Sequence, residues 1–290
     1  MRSKIGFEFA LTAILLTTGF AMARLEAQTL QLPAAPPGGL NASKLPDAEG
    51  IHLGMTVAQA MAVMKSLFPG ATGVLPRYSK YANGPSWVSS ITGTSADGHD
   101  NLIVFLSMPP NPQQVVFVQR TLILPPGKQP TEDSTVASLR QKYGQDLPVA
   151  KRLTGLMAWA YDEQGQTVSV QGPANWSPTD CAQDRFGVAG GQNDPGSALQ
   201  IDYVPDSIPL EQKVAILNAN LCDQHVYVTA QLQSGTIQGT SVVNQIYVFL
   251  GEKPLMIRDS VASQQYLAGV LNAKAQQQMK NAQQQKAPTL

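Results

Sequence analysis

The residues that could perform chemistry are few and widely separated in the sequence. The chain contains three histidines, His52, His99 and His225, and two cysteines, Cys181 and Cys222. A nucleophilic enzyme needs a Ser or Cys beside a base, and the sequence has no G-x-S-x-G motif. We therefore interpret His52 and His99 as structural or exposed residues and predict no catalytic residue. A hydrolase of unrecognised type, in which His225 would be the base, stays open as an alternative.

A metal or nucleotide site finds little support in the sequence. Hard oxygen ligands occur together in one long loop, but their spacing matches no EF-hand: Asp180, Asp184, Asn193 and Asp194. Gly190-Gly191 is not followed by Lys and Ser or Thr, and no G-x-G-x-x-G motif occurs. The prediction is that the protein holds no metal and no cofactor.

The charge composition excludes one class of partner. The 290 residues include 20 Lys and Arg against 20 Asp and Glu, and only 14% are charged. A nucleic-acid-binding protein needs clustered basic residues that displace phosphate counterions, so we expect no nucleic-acid partner. A surface covered mainly by amides and hydroxyls loses less free energy on desolvation than a charged one, which suits contact surfaces.

The N-terminus has the pattern of a secretory signal peptide over residues 1–23. Arg2 and Lys4 precede an apolar run that ends before Ala21-Met22-Ala23, an A-x-A cleavage site. The run of twelve residues is shorter than the roughly 20 that a spanning helix needs. We expect a periplasmic or secreted protein that does not span the membrane once processed. Residues 24–49 mix Pro, Gly and polar residues and are expected to form a flexible leader.

Export bears on the two cysteines. In an oxidising compartment, Cys181 and Cys222 are predicted to form a disulfide. The closed loop of 42 residues would contribute on the order of 4 kcal/mol. A metal or thiol site that contains Cys222 and His225 is the alternative, although no second pair of ligands lies nearby.

Two sets of helices and strands follow the leader, so we predict an α+β fold of tandem helix-plus-sheet modules. The first module covers residues 50–125, and the second covers residues 131–258 with a long loop pinned by the disulfide. Residues 259–290 are predicted to form a C-terminal helix and a Gln-rich tail that frays beyond Lys274. The order of helix and Trp-headed strands repeats with offsets of 75 residues, from Thr56 to Thr131, and 72 residues, from Trp87 to Trp159.

Periodicity and turn residues predict the individual elements. Apolar residues on one face predict a first helix from Thr56, capped through Gln59, and a second helix that ends at Gly144. Asp97-Gly98 predicts a hairpin, and Ser234-Gly235 predicts another. Apolar and β-branched runs predict the strands: 87–91, 102–106, 115–124, 156–161, 167–170, 198–204, 213–221 and 242–250.

The segment Gly50-Ile51-His52-Leu53-Gly54-Met55-Thr56-Val57-Ala58-Gln59-Ala60 resembles the opening of SmpA/BamE-like bacterial envelope modules, which are akin to the β-lactamase-inhibitor-protein fold. Residues 139–144 and 159–162 are similar to the helix, Y-G and W-x-Y strand of such modules. The resemblance implies a helix followed by an antiparallel sheet, with Gly54, Met55 and Thr56 forming the turn into the helix. The lipidated cysteine of the outer-membrane members is missing here.

These observations predict a non-enzymatic protein-interaction module that acts in envelope assembly or secretion. Its partner would be an unidentified envelope or secreted protein. Trp176 lies in a polar loop, where a Trp either folds back or contacts a partner, so it is a candidate contact residue. The tandem architecture also suggests an inhibitor of a periplasmic or secreted hydrolase.

Overall fold

The computed structural model describes residues 45–69, 74–80, 86–147, 155–162, 164–169 and 226–284. All of them lie within one compact unit, residues 33–290. The elements in this part of the chain are, in order, α1 (Val57–Leu67), β1 (Val74–Lys80), β2 (Ser86–Thr94), β3 (Asp100–Leu106), β4 (Val115–Ile123), α2 (Glu132–Tyr143), β5 (Leu156–Tyr161), β6 (Val226–Ile237), β7 (Thr240–Gly251) and α3 (Lys253–Gln284). The α+β class is confirmed.

The strands of the described residues form one antiparallel sheet in the order β1-β2-β3-β4-β7-β6-β5. Strand β4 ends the first predicted module and β7 ends the second, and the two strands pair at the centre of the sheet. The predicted modules therefore contribute to a common sheet.

Local sequence signals begin and end the first two helices as predicted. Thr56 caps α1 through a capping box with Gln59. Thr131 caps α2, and its side chain accepts a hydrogen bond from the Ser134 N–H. Gly144 ends α2 with a φ of +85°, which a residue with a Cβ rarely adopts.

The main core lies between these two helices and one face of the sheet. Apolar residues at alternate strand positions face Ala60 and Met64 of α1 and Tyr143 of α2: Ile91, Leu102, Val104, Val118, Trp159, Val228 and Leu250. The opposite face carries a second buried cluster, formed by Ile103, Phe105, Val116, Phe117 and Phe249. Helix α3 contacts β4. Both faces of the sheet therefore contribute to the interior.

The two halves of the sheet share several connections. The Met55 carbonyl accepts a hydrogen bond from the Val115 N–H at 2.8 Å, and the Pro130 carbonyl accepts one from the Val243 N–H at 2.9 Å. Both carbonyls directly precede the threonine that caps a helix. The strands β4 and β7 each contain a bulge residue, Val116 and Asn244 respectively, next to the bonded valine.

Several predicted boundaries are corrected. The fold includes residues 45–49 of the predicted leader, because Leu45 and Ala48 are buried beside Ile51. The last helix starts at Lys253 rather than at 259 and continues past Lys274 to Gln284. Its Ala, Gln and Lys residues have high helix propensity, which explains why the polar tail stays helical.

The strand predictions need corrections of a different kind. The strands β1 and β6 were not predicted. The hairpin turn after β6 lies at Gln238-Gly239 rather than at Ser234-Gly235, and both turn residues have positive φ angles. Within the described residues, the region of the predicted strand 167–170 forms an isolated bridge between Thr167 and Tyr161. The predicted strands 198–204 and 213–221 lie outside the described residues.

Candidate functional site

The motif Gly54-Met55-Thr56 forms the turn into α1. Gly54 has a φ of +81°, and its N–H donates to the Val115 carbonyl at 2.8 Å. The Met55 carbonyl accepts from the Val115 N–H, and Thr56 caps the helix. The motif thus joins the start of α1 to the start of β4, which is a structural role.

The remaining predicted site residues give no outcome, because Cys181, Cys222, Trp176 and His225 lie outside the described residues. The same holds for the signal peptide, residues 1–23, and for the acidic loop that could bind a metal. In the part of the chain that the structure describes, no group of three or more His, Cys, Asp and Glu side chains has a metal-binding arrangement. No described helix is both long enough and apolar enough to cross a membrane.

The other two histidines have local partners. The Nδ1 atom of His52 lies 3.2 Å from the Leu45 carbonyl oxygen. The Nδ1 atom of His99 lies 3.3 Å from a carboxylate oxygen of Asp97 in the β2–β3 hairpin. Neither contact involves a hydroxyl or thiol that could serve as a nucleophile.

A charged cluster connects residues 47–49 to the sheet and to α2. The Arg120 guanidinium donates two hydrogen bonds to the Asp100 carboxylate, at 3.0 and 2.8 Å, and a third to Glu49 at 2.7 Å. The Lys142 ammonium lies 3.4 Å from both Asp47 and Glu49. Their sequence separation gave no signal for this cluster, which holds the start of the fold in place.

Burial and charge act in opposite directions on this cluster. Burial would lower the pKa of Arg120, but the hydrogen bonds and charges of Asp100 and Glu49 raise it. Burial would raise the pKa of Asp47, yet the Gly50 N–H and the Lys142 charge hold it below the ordinary value. Both groups therefore stay ionised near neutral pH.

A buried carboxyl connects α3 to the loop between β3 and β4. Asp259 is 3% exposed. Its side chain accepts hydrogen bonds from the Met108 N–H at 2.9 Å and from the Asn111 amide at 2.7 Å. Burial raises the pKa of Asp259 to about 6, although these two hydrogen bonds favour the ionised form. Asp259 is therefore a group that titrates just below neutral pH.

The two edges of the sheet differ in how they are covered. At the β5 edge, the Ala158 carbonyl accepts from the Leu147 N–H at 2.8 Å, and the Ala160 carbonyl accepts from the Val168 N–H at 2.9 Å. At the other edge, the backbone pairing of β1 within the described residues is with β2 alone. Leu75 and Tyr78 on β1 are 62% and 68% exposed. The β1 edge is therefore the open one.

The sheet face opposite α1 and α2 carries a row of uncharged polar side chains, which we call the polar row. Its members are consecutive cross-strand partners on five adjacent strands, each half-buried: Thr94, Asn101, Thr121, Tyr247 and Gln231. Beside the row lies Gln119, which pairs with Ile103 and Phe249. Within the described residues the buried Oε1 atom of Gln119 has no hydrogen-bond partner.

Comparison with known proteins gives no relative for this chain. No protein family matches the sequence, and neither a curated protein nor a solved structure shows a significant match. Function must therefore be argued from the residues described above.

Proposed function

We propose that the protein is an exported, non-enzymatic interaction module of the bacterial envelope that binds an extended strand of a partner protein at β1. The observation that carries this proposal is the difference between the two sheet edges. Backbone hydrogen bonds cover β5, whereas β1 presents an open edge with two exposed apolar side chains, Leu75 and Tyr78.

Strand addition suits the chemistry of this edge. A partner strand would gain main-chain hydrogen bonds from β1, and exposed side chains beside the edge would give specificity. Pro76 removes one backbone donor, which protects against indiscriminate edge pairing. The side chain of Leu67, at the end of α1, is 38% exposed and adds to the apolar surface of this half of the molecule.

The export and envelope parts of the proposal rest on the sequence. The signal-peptide pattern of residues 1–23 supports export to the periplasm, where Cys181 and Cys222 would be oxidised. The SmpA/BamE-like segment Gly50–Ala60 supports a role in envelope assembly or secretion. An inhibitor of a secreted hydrolase belongs to the same class of function and differs only in its partner.

We also propose that the fold arose from a tandem duplication. The offset of 128 residues from Gln114 to Val242, the two residues bridged to the helix-capping threonines, also separates the bulge residues Val116 and Asn244. The same offset relates Arg120 to Val248, which are paired partners in the sheet. This pattern supports a pseudo-two-fold axis between β4 and β7.

Photo-crosslinking in cells that export the protein tests the strand-addition proposal. A photoreactive residue at Tyr78 should capture one discrete exported protein, whereas one at Ala137, on the exposed side of α2, should not. A second substitution, Leu75→Lys, places a charge beside the edge and should abolish the captured product. Equal capture from both positions, or capture insensitive to Leu75→Lys, would contradict binding at β1.

A partner that proves to be a hydrolase would favour the inhibitor, and its activity should fall when the purified protein is added. An activity screen on ester, peptide and glycan substrates tests the remaining alternative. Activity that is lost in His225→Ala would support a hydrolase and count against an interaction module.

A further inference from the structure

We propose that the polar row binds an uncharged oligosaccharide, which would lie across the strands on the open face of the sheet. The site consists of Thr94, Asn101, Thr121, Tyr247 and Gln231, together with Gln119 at its inner side. This site lies away from the β1 edge proposed for the partner protein, and neither proposal depends on the other.

The first argument is the hydrogen-bonding capacity of the row. The Asn101 amide donates to Thr94 at 2.9 Å. The side chains of Thr121 and Gln231 form no hydrogen bond within the described residues, so their donors and acceptors are available. Hydroxyl and amide groups can both donate and accept, as can sugar hydroxyls.

The second argument is the absence of charge. No member of the row is ionised at neutral pH, so a charged ligand group would lose its hydration there without gaining a counter-charge. A ligand without charge avoids this loss. Its binding should therefore change little with salt concentration.

The third argument is the unpaired amide of Gln119. This side chain is 7% exposed, and its Oε1 atom has no hydrogen-bond partner among the described residues. An unsatisfied buried acceptor costs free energy and is rare in folded proteins, so it calls for a cause. A ligand hydroxyl, reached by a small rotation of the amide, would supply the missing donor.

Shape and an aromatic ring separate a sugar chain from other occupants. The row spans five strands, about 19 Å at the usual strand spacing, which is too narrow a surface for a stable protein dimer with its roughly 800 Å² per partner. Tyr247 lies in the middle of the row, with its ring nearly parallel to that of Phe249 at an angle of 7°. An aromatic ring offers an apolar face on which the C–H groups of a sugar can rest.

A sheet face also offers no backbone groups to an extended peptide. The backbone N–H and C=O groups of the row form the ladders between strands. A peptide would need pockets for its side chains, and the row is a line of short neighbouring side chains. The observations therefore favour a chain of hydroxyl-rich sugars.

Calorimetric titration of the full exported chain tests the proposal. The probes are uncharged hexasaccharides of glucose in β-1,4 and α-1,4 linkage and of N-acetylglucosamine in β-1,4 linkage. We expect one of them to bind more tightly than its disaccharide, with an affinity that changes less than about twofold when salt is raised. Gln231→Ala and Tyr247→Ala should each weaken it about tenfold.

Gln119→Leu gives the sharpest test, because its effects on binding and on stability should have opposite signs. The substitution replaces an unpaired buried amide by an apolar group of similar size, so the melting temperature should stay equal or rise. Sugar affinity should fall about tenfold. Gln141→Ala, an amide exposed on α2, is the matched control and should change neither quantity.

Three results would overturn the proposal. The first is a folded wild-type protein that binds none of the hexasaccharides at millimolar concentration. The second is binding that the Gln119, Gln231 and Tyr247 variants leave unchanged. The third is tighter binding of an uncharged Ser- and Asn-rich peptide, with the same sensitivity to the three variants, which would assign the row to a peptide.

Discussion

Arg120 joins three segments that are far apart in the sequence. It lies on the central strand β4, forms a two-pronged contact with Asp100 on β3, and bonds to Glu49 at the start of the fold. Its side chain is 21% exposed, so these charges are only partly screened by water. Under the proposed duplication its counterpart is Val248, which means that this charged contact exists in only one half.

Removal of the Arg120 charge should destabilise the fold strongly. Arg120→Ala leaves two partly buried carboxylates unpaired, and we expect a loss of about 2 to 3 kcal/mol in the free energy of unfolding. Arg120→Lys keeps the charge but loses the planar fork, so it should cost about half as much. Urea unfolding of the three proteins measures this order. Equal stability of the Ala and Lys variants would show that charge pairing contributes little.

Asp259 makes the stability depend on pH near neutrality. Its pKa is about 6 in the folded protein against an ordinary value of 3.8. The folded state therefore binds a proton more tightly than the unfolded chain does, so stability rises as the pH falls through 6 and is lost again as it rises. The pKa values of Asp47 and Asp97 are lowered, so these groups titrate below this window.

We expect the wild-type protein to be more stable at about pH 5 than at about pH 8, by on the order of 2 kcal/mol from this one group. Asp259→Asn should flatten the dependence, because the amide cannot ionise. Asp133→Asn, at an exposed acid on α2, should leave the pH profile unchanged. The measurement is the urea midpoint at the two pH values, and parallel profiles for wild type and Asp259→Asn would contradict the assignment.

At the scale of elements, the structure follows the sequence where the signal is local. The helices α1 and α2 have their capping residues, apolar faces and terminating glycine within a dozen neighbouring residues, so both were predicted. The Asp97-Gly98 turn fixed the β2–β3 hairpin in the same way. The strand β6 was missed because Ser234-Gly235 looks like a turn, whereas pairing with β7 keeps both residues extended.

Other features could not be read from the sequence because they depend on contacts through space. The pairing of β4 with β7 joins residues more than a hundred positions apart. The polar row exists only because that pairing places Thr121 beside Tyr247. The partners of Asp259 are likewise set by where α3 meets the loop after β3, so sequence spacing gave no hint of the buried carboxyl.

Close packing of α1 against β2 depends on Gly93. A Cβ atom at this position would lie 2.5 Å from the Phe68 ring and 2.8 Å from the Met64 methyl group. Gly93→Ala should therefore destabilise the fold by about 1 to 3 kcal/mol, because both side chains must move. Adding Phe68→Leu should recover part of the loss. Thermal unfolding of the single and double variants measures it.

Gly269→Ala is the matched control for this prediction. No atom lies within 4 Å of a Cβ built at Gly269 in α3. Here the substitution should stabilise the protein by up to about 1 kcal/mol, since Ala favours the helix. Equal effects at the two glycines would show that the gap between α1 and β2 can relax freely.

At the scale of the whole molecule, the shared sheet decides how the two halves fold. The last strands of both halves pair over seven residues, from Phe117–Gly251 to Ile123–Gln245. Each half alone would expose a long, largely apolar edge strand in place of this central pairing. The main core also extends across both halves, from Met64 of α1 to Trp159 of β5.

We therefore expect the chain to unfold as one cooperative unit, with a single transition in both near- and far-ultraviolet circular dichroism. The separate halves, residues 45–125 and 126–290, should each be unfolded or aggregated when produced alone. Mixed from denaturant, they should recover native-like signal, because the missing β4–β7 pairing is then restored between the two chains. Two resolved transitions in the intact chain, or a stable first half that ignores its partner, would mean that the duplicated units kept independent folding despite their common sheet.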